Sequence, residues 1–132
     1  MRILICGSRD YTNKQRIREA ILFYKPPVVI EGEARGADTL ARKVAEELGI
    51  EIAKNSKGER GFPADWNKYG KAAGPIRNKQ MLDEGKPDLV LAFFSGKYED
   101  SKGTKNMVEQ AIAASVIVLV MDREGLHLEK QS

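Results

Sequence analysis

The run RILICGSRD at residues 2–10 decides how the chain is read. After Arg2 it is apolar through Cys6 and then meets Gly7-Ser8, the pattern of a buried strand that ends in a turn. Four more short runs repeat the pattern: VVI at 28–30, IEIA at 50–53, DLVLAF at 88–93 and VIVLVM at 116–121. Strands that are apolar throughout must be covered on both faces, which is the condition of a parallel sheet. The intervening segments carry helical spacing. Thr12 is a candidate N-cap, followed by Ile17, Ala20, Ile21 and Tyr24 up to the break at Pro26-Pro27. Over residues 37–48, Leu40, Ala41, Val44, Ala45 and Leu48 share one face, with Gly49 as the stop signal. Gly74-Pro75 suits a helix start with proline at the first helical position, running through Met81 to about Glu84. Residues 104–114 make a further helix.

This alternation predicts an α/β, Rossmann-like single domain over residues 1–121. Its five-stranded parallel sheet has the order 3-2-1-4-5, with helices on both faces. Residues 122–132 read as a polar C-terminal tail in which His127 is solvated, and residues 54–61 (KNSKGERG) as a mobile surface loop. Residues 62–66 are expected to pack back onto the body. In open sheets of this kind ligands sit outside the carboxyl ends of the strands, where the two halves of the sheet diverge. That point falls between the first and fourth strands, so the loops at 7–11, 32–38 and 94–104 are the candidate site.

Bulk properties bound the function. With 132 residues, 42% hydrophobic and 31% charged, the chain is long enough for a core of its own and too apolar for wholesale disorder. The net charge is only +3 and the basic residues are scattered, which argues against a nucleic-acid partner despite a sequence pI near 9.0. The single cysteine, Cys6, suits a reducing compartment. The apolar stretch at 111–121 is interrupted by Ser115 and is too short for a bilayer, and a strand starting at residue 2 leaves no room for a signal peptide. The expectation is a cytoplasmic protein without a membrane partner. Homo-oligomerisation is left open.

The chemistry lies on the loops. Gly7, Ser8, Arg9 and Asp10 offer close backbone approach, a hydroxyl and a guanidinium fork suited to phosphate; the same residues also suit a plain turn with a surface ion pair. Gly32, Glu33, Ala34, Arg35, Gly36, Ala37 and Asp38 follow a strand and open a helix, where free backbone N–H groups and the positive end of the helix dipole attract anions. Neither a Walker loop nor the full GxGxxG spacing is present. Asp38 reads alternatively as a helix-start acid partnered by Arg35. Asp65 reads as a ligand for ribose or as a cap, and Trp66 as a stacking platform or a packing anchor. Arg77, placed in the first turn of a helix opened by proline, opposes the helix dipole, which favours anion binding over a stabilising role. No ligand-spaced cluster of Cys, His and carboxylates suggests a metal, and no cofactor is implied.

Five co-ordered motifs carry a resemblance. Gly7-Ser8-Arg9-Asp10, Ala34-Arg35-Gly36-Ala37-Asp38, Phe62-Pro63-Ala64-Asp65-Trp66, Ala73-Gly74-Pro75-Ile76-Arg77-Asn78 and Gly103-Thr104 together resemble the YspA-like branch of the SLOG superfamily. That superfamily groups the DNA-processing protein DprA with the "lonely guy" (LOG) phosphoribohydrolases. The resemblance spans roughly residues 2–120. It implies a pocket for nucleotides or related phosphoribosyl compounds. Gly7, Ser8, Arg9, Gly32, Arg35, Gly36, Asp38, Asp65, Trp66, Arg77, Asn78, Gly103 and Thr104, which lie at carboxyl strand ends or helix starts, are the expected ligand-binding set. LOG enzymes cleave an N-glycosidic bond with an arginine and a glutamate. Arg77 and Met81 match the first of their two motifs and Gly103-Thr104 the end of the second, but Asn106 stands where the glutamate belongs and Asn78 replaces a lysine. The turn is also expanded by KYEDSK at 97–102. The expectation is a module that senses or sequesters a nucleotide-derived ligand, of the kind used in bacterial or phage immune signalling. Two alternatives stand beside it: a phosphoribohydrolase using Arg77 with a relocated carboxylate (Glu99, Asp100 or Glu109), and a DprA-like nucleic-acid binder.

Overall fold

Ile3, Leu4 and Ile5 are fully buried, because β1 (Arg2–Gly7) lies in the interior of the sheet with a parallel neighbour on each side. A computed structural model describes residues 1–96, 101–123 and 125–129, apart from the side chains of His127 and Glu129. Along the chain follow α1 (Lys14–Tyr24), β2 (Val28–Ile30), α2 (Ala37–Glu47) and β3 (Glu51–Ile52). The second half brings α3 (Trp66–Tyr69), α4 (Ala73–Gln80), β4 (Leu89–Phe93), α5 (Lys102–Ala113), β5 (Ile117–Asp122) and β6 (Gly125–Glu129). Among the described residues the strands form one six-stranded sheet in the order β3-β2-β1-β4-β5-β6.

Side chains alternate across each strand, so the sheet divides the core in two. Ile3 and Ile5 of β1 and Leu91 and Phe93 of β4 pack under Ile17 and Ile21 of α1 and Ala41 and Val44 of α2. Leu4 and Cys6, with Val90, Ala92, Val118 and Val120, pack under Met107, Val108 and Ala111 of α5 and Met81. Each fully buried Ile or Leu contributes roughly 1.5–3 kcal/mol through removal from water. Among the described residues no helix is long and apolar enough to cross a membrane.

The α/β architecture and the expected order of the first five strands are present, but a wholly parallel five-stranded sheet is not. A sixth strand, β6, pairs antiparallel to β5, with Leu119 opposite Leu128 and Met121 opposite Leu126. The segment expected as a polar tail from residue 122 therefore extends the sheet. Its pattern was faint because Leu126 and Leu128 are its two apolar residues and both remain exposed at the sheet edge. The expectation for the His127 side chain lies outside the described residues.

Other boundaries shift for local reasons. Asn13 caps α1 in place of Thr12, its Oδ1 accepting from the Arg16 N–H at 3.1 Å. Pro75 stands third in α4, behind Ala73 and Gly74, and the helix passes into a π-helical turn at Met81–Gly85. Residues 54–61 form a tight turn, in which Asn55 receives the N–H groups of Lys57, Gly58 and Glu59 and a bridge joins Lys54 to Arg60.

Two glycines permit the close approach of the loops above the sheet. A Cβ on Gly7 would collide with the Phe93 carbonyl of β4 and lie 2.7 Å from Cβ of Ala37. Gly36 sits at φ +77°, and a Cβ there would strike the Ser8 carbonyl. Gly103, by contrast, faces open space within its helix. Gly7→Ala is therefore expected to cost about 3 kcal/mol or more, the upper end of overpacking penalties. Gly103→Ala should leave stability unchanged or raise it by up to ~1 kcal/mol. Urea midpoints of the two variants and the wild type make the comparison.

Candidate functional site

The carboxyl ends of β1 and β4 open into a cleft of about 790 Å³. Of the residues expected from sequence, Gly7, Ser8, Arg9, Asp38, Trp66, Arg77, Asn78, Gly103 and Thr104 line it. Gly32 and Arg35 line a smaller adjoining cleft of about 350 Å³, together with Arg9, Trp66 and Arg77. The three arginines Arg9, Arg35 and Arg77 thus face one continuous region. Gly36 and Asp65 line neither cleft: Gly36 is packed against the Ser8 and Arg9 backbone. Asp65 caps α3, accepting from the Lys68 N–H at 3.0 Å.

Hydrogen bonds fix the loops around the cleft. The Ser8 N–H donates to the Phe93 carbonyl at 2.9 Å, and the Ser8 hydroxyl accepts from the Ser95 N–H at 3.1 Å. The Ser95 hydroxyl in turn donates to Asp10 at 2.7 Å. Across the cleft, the Asn78 amide donates to the Gly103 carbonyl and to Asn106 Oδ1 at 3.3 and 3.1 Å. Gln110 Nε2 donates to the same Asn106 oxygen at 2.8 Å. Asn106 therefore lines the cleft with its oxygen already engaged by two amides. Neither amide can take up a proton, so this position works as a brace between α4 and α5.

The loop at 32–38 behaves differently from its sequence. The N–H groups of Gly32 and Ala34 are not available to an outside anion: both donate to Asp38 Oδ2, at 3.0 and 3.3 Å. The loop folds around its own carboxylate, and these backbone groups, not Arg35, are what Asp38 binds. The open N-terminus is instead that of α5. Ser101 supplies no side-chain cap, and Ser101, Lys102, Gly103 and Thr104 line the main cleft. First-turn N–H groups that no described side chain caps, aided by the helix dipole, favour an anion at that point.

Arg77 is set by tertiary contacts. It stands in the last turn of α4, so the expected opposition to a helix N-terminus does not apply. Its Nη1 donates to the Gly32 carbonyl at 2.6 Å and its Nε to Asn78 Oδ1 at 3.0 Å. This fork holds the half-buried guanidinium between the two clefts. Trp66 is 48% exposed and carries the Arg9 guanidinium 5.4 Å from its ring centroid, while Phe62, fully buried, is the packing anchor of the 62–66 segment. Lys71 and Met107 also line the main cleft and lie outside the loops expected from sequence, whereas Ser95 and Lys102, which line it too, belong to the expected 94–104 loop. Ser95 and Gly96 come just after the fourth apolar run and Phe94, a turn signal that Lys71 lacks. Glu109 is exposed and absent from the lining, and Glu99 and Asp100 lie outside the described residues. Among the described residues no His, Cys and carboxylate group is arranged to hold a metal ion.

Two buried carboxyls support this corner. Burial pushes Asp38 up to about 6, against the opposing pull of Arg77 and its two backbone bonds. Burial likewise raises Glu31 to about 7, although Arg42 lies 3.0 Å away, and Asp38 adds a like charge. Cys6 beneath the cleft is raised well above the ordinary thiol range by burial, so it is not a ready nucleophile. Both carboxyls titrate higher in the folded than in the unfolded protein. Their contribution to stability is thus fully present below about pH 4 and is lost as the pH rises through 6 to 7. Glu31→Gln and Asp38→Asn should each flatten the fall in urea midpoint between roughly pH 4.5 and 7. A wild-type slope in both variants would refute the assignment.

No family model matches the chain. The Gene 61 protein of Mycobacterium phage D29 is 32% identical over 126 residues, an alignment that covers 89% of this chain and 94% of the phage protein. With that identity sustained over nearly the full length of both, the chain belongs to the same family as the Gene 61 protein of Mycobacterium phage D29.

Proposed function

We propose that the protein is a Rossmann-like binding module of the YspA-like SLOG type, and that its main cleft takes a phosphate-bearing, nucleotide-derived ligand. One observation carries the reading: the N-terminus of α5, which Ser101 does not cap with its side chain, the Arg77 guanidinium and the exposed ring of Trp66 all border the same cleft. The first two suit a phosphate and the third suits a base or ribose face. A volume of about 790 Å³ falls in the range of small-molecule sites. In this reading the ligand is sensed or sequestered. A relative encoded by a bacteriophage is in keeping with a part in phage–host signalling. Native mass spectrometry of protein purified from cells tests the proposal directly, the expected result being a retained nucleotide-sized mass. Arg77→Ala should weaken an anionic nucleotide by roughly 1.5–3 kcal/mol, the scale of a charge-assisted hydrogen bond. Equal affinities by calorimetry would remove Arg77 from the site.

Binding without efficient cleavage follows from Asn106. A positioned acid or base contributes about 10²–10⁴-fold in rate, and an amide supplies neither. The wild type should therefore release little free base from nucleoside monophosphates. One observation favours the hydrolase alternative: Asp38, a carboxyl raised to about 6, lines the cleft. Base release that is robust in the wild type and lost in Asp38→Asn would replace the binding reading with an enzymatic one. Base release gained in Asn106→Glu would instead show that the missing glutamate is what separates this protein from an enzyme.

A further inference from the structure

The smaller cleft shares Arg9, Ala34, Trp66 and Arg77 with the larger one, so the two are compartments of one recess and not separate sites. Opening onto the main cleft through these four residues, the side compartment of about 350 Å³ suits an extra group on a ligand seated in the 790 Å³ main cleft. Its charge is distinctive. Arg9, Arg35 and Arg77 line it, and the one acid of its wall, Glu33, is drawn to Arg42 at 3.4 Å. Arg42 in turn holds buried Glu31 at 3.0 Å, which leaves buried Asp38, bonded by the Gly32 and Ala34 N–H groups, as the carboxyl that acts on Arg77 and Arg9. Arg35 lines the side compartment and not the main one.

We infer that the side compartment receives a second phosphate, and that the ligand is a nucleotide carrying at least two phosphate groups rather than a nucleoside monophosphate. The inference rests on the reading of the main cleft as a nucleotide site. Three guanidiniums against one buried carboxyl, Asp38, leave an excess of positive charge that a dianionic group compensates. Arg77, anchored to the Gly32 carbonyl, stands between the compartments and can serve phosphates on both sides. The second phosphate extends the first as a diphosphate or is carried elsewhere on the ribose; both present the same chemistry to Arg35.

Isothermal titration with three probes separates the possibilities: adenosine 5′-monophosphate, adenosine 5′-diphosphate and adenosine 3′,5′-bisphosphate, each with wild type and Arg35→Ala. Arg35 is exposed, so its truncation should not impair folding. One of the two bisphosphorylated probes should bind the wild type about tenfold or more tighter than the monophosphate. Which one does so tells a diphosphate from a ribose-borne phosphate. Arg35→Ala should lower affinity for that probe far more than for the monophosphate and so abolish most of the preference. Three similar affinities in the wild type, or a preference that survives Arg35→Ala, overturns the inference and leaves the main-cleft reading standing. If the wild type binds none of the probes, the main-cleft reading falls and the inference falls with it.

Discussion

The cleft depends on the backbone of Ser8. Its N–H reaches the Phe93 carbonyl at 2.9 Å, and its carbonyl accepts from Tyr11 and Ala37 at 3.2 and 3.3 Å. Its hydroxyl receives the Ser95 N–H. One residue therefore ties together the loops that follow β1, β2 and β4. Each such bond is worth only about 0.5–1.5 kcal/mol net, so their weight lies in geometry. They draw three chain segments so close that Gly7 and Gly36 have no room for a side chain. The site is positioned by the same contacts that close the top of the sheet.

Charge is distributed around this junction with a consistent logic. The first loop of the β2–α2 connection satisfies its own N–H groups with Asp38, and Glu31 and Glu33 engage Arg42. The negative groups are thereby held by partners inside the fold. On the opposite wall the first turn of α5 has no such anion among the described residues, and Arg77 bridges the two sides through the Gly32 carbonyl. A buried carboxyl beside a guanidinium and two N–H donors is stable only while those partners remain, so loop and cation are mutually dependent.

The parts of this arrangement that were legible in the sequence are those set by periodicity. The five apolar runs gave the strands and their order, and the loops after the first and fourth marked the cleft. What escaped was set by tertiary partnership. Residues 125–129 form an edge strand whose two leucines stay exposed, so they lack the apolar density by which interior strands are recognised. The 32–38 loop has the composition of an anion site, but Asp38, six residues from Gly32, fills it. Arg77 was singled out for the right neighbourhood on a dipole argument that its place in the last turn of α4 removes. Sequence leaves Trp66 open between stacking platform and packing anchor; Phe62 takes the anchor's place and leaves the indole at the lip of the cleft.

The parallel pairing of β1 with β4 has a consequence for how the protein comes into being. Asp88 accepts from the Arg2 N–H across 86 residues of sequence, and Ile3 lies opposite Leu89. During synthesis the first strand emerges early but waits for most of the chain before its second neighbour arrives. Contacts this distant slow folding, since the loop they close must be ordered before they are rewarded. The wall formed by α5 comes later still. A small molecule bound between these walls can hold the finished protein together by mass action, but it finds no foothold on the nascent one.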